Sequence, residues 1–152
     1  MLASTISKNT FAYICAFVIT LILLVYLLKL PYILTGADDL VNEYYVQHAL
    51  TNIPLDFLLV TLYLLTAYAL FWCVGVQTHQ VAFRTVLVVL TAILLSGFFV
   101  LYFTKQPVSP SFFSRWFHRV GWSAVLYDAI LLMTIYLVYR RLCTIFNTQS
   151  IL

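Results

Sequence analysis

Charge is the scarcest ingredient of this chain: 9% of its 152 residues are charged, where a soluble domain carries about 25%. Hydrophobic residues make up 64%, so there is too little polar surface to hydrate a water-soluble globule, and that class is excluded. Glycine is nearly as scarce, with four in the chain, and no glycine-rich phosphate loop occurs. The three cysteines, Cys15, Cys73 and Cys143, share no CxxC or Cys/His spacing and read as small apolar residues. His48, His79 and His118 stand apart, and neither HExxH nor GxSxG is found. The expectation is therefore a non-enzyme with no cofactor and no metal. The eight basic residues are scattered, with no block beyond Arg140-Arg141, so a net charge of +3 gives nucleic-acid binding no footing.

Long apolar runs fill the space that charge leaves. Four can be drawn, at about 11–30, 55–76, 83–103 and 121–139, close to the roughly 20 residues a helix needs to cross a bilayer. The first is longer than a signal-peptide core, and Lys29-Leu30-Pro31-Tyr32 is no small-residue cleavage site, so it is read as a span. Runs such as Leu21-Ile22-Leu23-Leu24-Val25 do not alternate, which argues against a β-barrel. The expected fold is all-α: a polytopic four-helix transmembrane bundle, one domain, with interfacial amphipathic helices at about 38–50 and 110–120.

The order of features repeats. Each half is an apolar span, then Lys-x-Pro (Lys29-Leu30-Pro31; Lys105-Gln106-Pro107), an amphipathic linker, and a span with an aspartate and a Thr-x-Tyr phrase. Near-constant spacing is what two fused helical hairpins in one orientation, a 2+2 repeat, would leave. In the first linker Thr35-Gly36-Ala37-Asp38 has capping-box form, with Val41, Tyr44, Tyr45 and His48 on one face of the helix that follows. In the second, Ser109 is the expected cap of a helix opening at Pro110, with Phe112, Phe113, Trp116, Phe117 and Val120 as its stripe. That stripe fits a helix lying in the headgroup layer, and Trp122 marks where the fourth span enters hydrocarbon. Asp38, Asp39 and Glu43 in one linker face Arg115 and Arg119 in the other, so the linkers are expected to pair across one end of the bundle. Basic residues divide four against four between the two ends; Arg140-Arg141 beside the last span tilt the termini towards the cytoplasm.

Asp56 and Asp128 are the polar residues that stand out. A carboxylate at the helix centre in a bilayer costs roughly 2.5–3.5 kcal/mol on insertion scales, so it needs a partner, a proton or a purpose. Asp56, two residues after Pro54, reads as a first-turn capping carboxylate near water. Asp128 lies six residues beyond Trp122, about 9 Å along the helix, and must find its partner elsewhere. Tyr63, Thr134 and Tyr136 could line an interior with the two carboxylates. Ala92-x-x-x-Ser96-Gly97 gives the third span a small face for close helix approach.

The phrases Asn42-Glu43-Tyr44-Tyr45, Ile53-Pro54-Leu55-Asp56, Trp116-Phe117 through Gly121, and Ala124-Val125-Leu126-Tyr127-Asp128-Ala129-Ile130-Leu131 resemble short multi-span proteins of large double-stranded DNA viruses of algae and amoebae. The resemblance runs from about Tyr32 onwards and implies a component of a virion inner membrane or a host internal membrane. On this reading the protein is a non-enzymatic scaffold or anchor of a larger assembly, with lipid, other membrane or capsid proteins and further copies of itself as partners. The alternative is an ion or proton channel or transporter component using Asp128 and Asp56.

Overall fold

The computed structural model describes residues 2–148, with side chains described for 7–146. Helices joined by short turns make up the described residues, with no strand among them. α1 (Leu2–Leu21) runs on into a π-helical stretch, Ile22–Leu27; α2 (Leu30–Thr35) and α3 (Asp38–Asn42) follow, and α3 continues as a second π-helical stretch, Glu43–Gln47. α4 (Ala49–Val74), α5 (Val81–Lys105), α6 (Phe112–Val120) and α7 (Trp122–Thr148) complete the chain. Four segments, Ser7–Leu27, Ala49–Val74, Val81–Lys105 and Trp122–Phe146, are long and apolar enough to cross a membrane.

Local chemistry sets the breaks. The Leu28 N–H closes an i→i−5 bond to Leu23 O at 2.9 Å, and Lys29 then turns left-handed (φ 51°), ending the first long helix. Pro31, with no N–H to satisfy, sits in the first turn of α2. At Gly75 (φ 71°) the Gly75 N–H bonds Trp72 O at 3.2 Å and the Val76 N–H bonds Phe71 O at 2.9 Å, a Schellman end to α4 that a Cβ would strain.

Three local expectations are corrected. The Thr35 capping box does not form: its hydroxyl donates to Pro31 O at 2.7 Å and accepts from the Ala37 N–H at 3.2 Å. Gly36 (φ 60°) turns the chain there, so Thr35 closes α2 instead of opening α3. The cap of α6 is Ser111, whose hydroxyl accepts from the Ser114 N–H at 3.3 Å, while Pro110 stays outside the helix. Finally, the helix of the second apolar run, α4, starts at Ala49, with the Thr51 and Asn52 N–H groups both on His48 O, so Pro54 falls in its second turn and Asp56 is no first-turn cap.

α7 is the packing centre. It lies along α5 on one side and α1 on the other, while α4 packs mainly on α5. Both long neighbours of α7 bury small residues one turn apart: Ala12, Ala16 and Thr20 on α1, and Val88, Ala92, Ser96 and Val100 on α5. Such stripes let backbones approach closely where no hydrophobic force drives helices together. The outward faces are apolar instead of polar, with Leu58, Leu62, Leu65, Leu94 and Phe98 each more than half exposed.

Candidate functional site

α6 lies against α5 and closes one end of the bundle together with the first linker. Arg115 grips Glu43 with both guanidinium nitrogens, one bond at 2.9 Å from Nη1 to Oε2 and the other from Nη2 to Oε1. Arg119 Nη1 donates to Asp39 Oδ2 at 2.6 Å. Asp38 makes no ion pair among the described residues. His118 adds a tether, its ring nitrogens 2.8 Å from Ser114 O and 3.1 Å from Gln106 O. The Arg115 hydrogen bond, partly offset by lost hydration and reinforced by the Arg115 charge, holds Glu43 below its ordinary value.

Beneath this cover is a cavity of about 190 Å³, and both Asp56 and Asp128 line it. The π-helical stretch carries Tyr44 and Tyr45 to the two oxygens of one carboxylate: Tyr44 donates to Asp56 Oδ1 at 2.6 Å and Tyr45 to Oδ2 at 3.0 Å. A π turn loosens the backbone ladder, and side chains from elsewhere use its carbonyls. Asn52 Nδ2 donates to Tyr44 O at 3.2 Å and the Tyr26 hydroxyl to Tyr45 O at 2.9 Å. Burial, and after it the Asp56 charge, push both linker phenols well above their ordinary value, so they remain donors.

Asp128 is served separately. Ser96 Oγ donates to Asp128 Oδ2, and the Tyr63 hydroxyl lies 3.2 Å from Ser96 Oγ. Since the serine has one proton and gives it to the carboxylate, Tyr63 is the donor to Ser96. The same count applies at Asp56, where Tyr45 is 3.0 Å from the Tyr127 hydroxyl and Tyr127 must donate. Two relays of two hydroxyls each therefore end on the two carboxylates. Each starts on the helix that bears the other aspartate.

Apart from Leu55 and Leu59, the rest of the wall is aromatic. Phe112, Phe113, Trp116 and Phe117 of α6 face inward with Phe99 and Phe103 of α5. Tyr44 and Phe112 have ring centroids 4.7 Å apart, Phe112 stacks on Trp116 at 5.7 Å, and Phe117 stacks on Phe103 at 5.4 Å. The α6 stripe packs on rings offered by α5 and the first linker, with Trp116, Phe117 and Val120 buried and Phe112 and Phe113 half-buried. No lysine, arginine or histidine lines the cavity.

The other residues singled out from the sequence lie elsewhere. Thr134 returns its proton to Ile130 O on its own helix at 2.8 Å. Tyr136 is fully buried, but at the opposite end of the bundle, beside Phe71 and Arg140. Trp122 is 60% exposed and leans on Gly97, whose added Cβ would lie 3.4 Å from the indole. Ser96 and Tyr127 are polar partners that the sequence does not mark. Ser96 reads as one more small packing residue, and Tyr127 as one tyrosine among eleven. Among the described residues no cluster of histidine, cysteine and carboxylate side chains could hold a metal ion.

Comparison with known proteins finds no matching family model, no similar curated protein and no similar solved structure. The viral resemblance therefore rests on its quoted phrases alone.

Proposed function

We propose that this is a four-span integral membrane protein that binds a small amphiphile bearing a cationic ammonium group in the cavity between α4, α5, α6 and α7. The observation that carries this is the meeting of two carboxylates in one aromatic-walled cavity without any basic side chain. Hydrogen bonds from tyrosine and serine lessen the desolvation of the carboxylates but supply no opposite charge. An ammonium group supplies it, and the surrounding ring faces attract such a cation further, by about 0.5–2 kcal/mol per favourable ring. The apolar remainder of the wall suits a hydrocarbon tail.

Two other readings draw less support. A scaffold that holds partners through the aromatic linker face would need that face outward, and it is packed inward. A conduit for protons or cations would need a polar path to continue past Asp128, yet Val88, Leu132 and Ile135 are buried beyond it, and the buried Thr91 hydroxyl gives its proton to Leu87 O on its own helix. A duplicated hairpin remains part of the proposal, supported by the recurring phrases and by two linkers that pair at one end.

Trp116 provides the test. With Trp116 as the sole tryptophan (Trp72→Phe, Trp122→Phe), the protein in nanodiscs is titrated with the long-chain amine sphingosine and with its uncharged N-acetyl counterpart. Sphingosine should change the emission at about tenfold lower concentration, and Asp128→Asn should remove most of that preference. Equal responses to the two lipids, or an undiminished preference in the Asn variant, would overturn the reading.

A further inference from the structure

The end of the bundle opposite the linkers has a different chemistry. Every acidic residue of the chain lies elsewhere: Asp38, Asp39 and Glu43 in the first linker, Asp56 and Asp128 at the linker-side cavity. Between α1, α4, α5, α7 and the α4–α5 connection is a second cavity, of about 360 Å³, whose wall includes Asn9, Tyr68, Thr78, Arg84, Tyr139 and Arg140. Neither arginine is ion-paired among the described residues.

Both guanidinium groups are nevertheless held in place. Arg84 Nη2 donates to Val76 O at 2.8 Å, and its guanidinium carbon stands 4.9 Å from the centre of the Phe71 ring. Arg140 lies over the Tyr136 ring at 6.0 Å and donates to that phenol at 3.4 Å. Aromatic and backbone contacts orient a guanidinium without neutralising it. Arg84 Nε is moreover buried with no hydrogen-bond partner, and an unmet donor on a charged group is costly. A tetrahedral oxyanion is the partner both guanidinium groups lack, because it can accept from an Nη of each while its charge meets the two arginines together.

We infer that this second cavity is an anion site for a phosphate group, held between Arg84 and Arg140. Arg84 is in the first turn of α5 and Arg140 near the end of α7, so the site lies at the depth of lipid headgroups if the long helices cross a bilayer. A phospholipid phosphate and a free phosphate share the required chemistry. The site owes nothing to the linker-side cavity and stands or falls separately from it.

The experiment follows thermal unfolding of the full chain in a non-ionic detergent with added phosphatidic acid, phosphatidylcholine or inorganic phosphate. Phosphatidic acid should raise the midpoint. A matching rise with inorganic phosphate would make any phosphate the ligand, and a rise with phosphatidic acid alone would make it a lipid headgroup. Arg140→Gln should weaken the half-saturating concentration about tenfold or more, and Arg84→Lys, which keeps the charge but loses the fork, should do the same. Should Arg84→Lys fail to fold, Arg140→Gln alone carries the comparison. No rise with phosphatidic acid or phosphate, a rise equal to that with phosphatidylcholine, or an Arg140→Gln protein responding like the parent would overturn the inference.

Discussion

The Tyr127 hydroxyl stands 3.0 Å from that of Tyr45, and because Tyr45 gives its own proton to Asp56, Tyr127 donates to Tyr45. The bond ties α7 to the first linker and orders a relay that starts one residue before Asp128. A second relay, Tyr63 to Ser96 to Asp128, runs the other way between α4 and α7. The two carboxylates are thereby parts of one construction, with each helix supplying an acid to the cavity and a phenol to the other acid's relay.

Tyr45→Phe should destabilise the protein more than an ordinary surface change. It removes one donor from Asp56 and leaves the buried Tyr127 hydroxyl without its acceptor, a loss of about 1–3 kcal/mol. Adding Tyr127→Phe removes the stranded hydroxyl and should restore part of that loss. Denaturant unfolding in mixed micelles checks the cycle; strictly additive losses would mean that the two phenols do not act together.

Ser96→Ala and Thr134→Val each remove a hydroxyl, from α5 and α7 respectively, with different expected results. The Thr134 hydroxyl only returns to a carbonyl of its own helix, so its loss should stay within about 0.5 kcal/mol. Ser96→Ala deprives Asp128 of its donor and Tyr63 of its acceptor and should cost about 1–3 kcal/mol. Equal losses from the two variants, measured by the same unfolding assay, would count against the relay.

What the sequence disclosed about these sites follows from the range of the interactions. The long helices and the linker charges are legible because hydropathy and charge are properties of short segments, and Glu43 and Asp39 do stand opposite Arg115 and Arg119. Asp56 and Asp128 stand out for the same reason. Their partners were hidden, since a hydroxyl in an apolar helix looks alike whether it back-bonds to its own carbonyl, as Thr134 does, or serves a distant carboxylate, as Ser96 does. The inward turn of the aromatic stripe was hidden too: an amphipathic helix has an apolar face whether lipid or Phe99 and Phe103 cover it. Helix starts depended on single backbone bonds, and the His48 carbonyl drew the start of α4 ahead of Pro54.

Gly97→Ala should be tolerated or mildly stabilising. The new methyl would meet the Trp122 indole at 3.4 Å, an ordinary contact with a largely exposed side chain. Replacing glycine by alanine inside a helix gains up to about 1 kcal/mol in propensity. Gly97→Leu should instead displace the indole, seen as a red shift of Trp122 emission in a protein whose other tryptophans are changed to phenylalanine. An unshifted spectrum would place Trp122 away from α5.

The linker pair Glu43–Arg115 should give stability a defined pH dependence. Arg115 holds the folded-state value of Glu43 below its ordinary 4.5, so the unfolded chain takes up a proton first as pH falls. The contribution of the pair is therefore complete above the unfolded value and is lost as pH drops through the folded one. Glu43→Gln should lower the unfolding midpoint at pH 7, and the gap to the parent should close as pH falls below the ordinary value of 4.5. Molar salt should narrow the gap as well, because both side chains remain partly exposed. Scans of parent and variant from pH 7 to pH 3 measure this directly, and a gap that stayed constant would show that Glu43 contributes through packing and not through its charge.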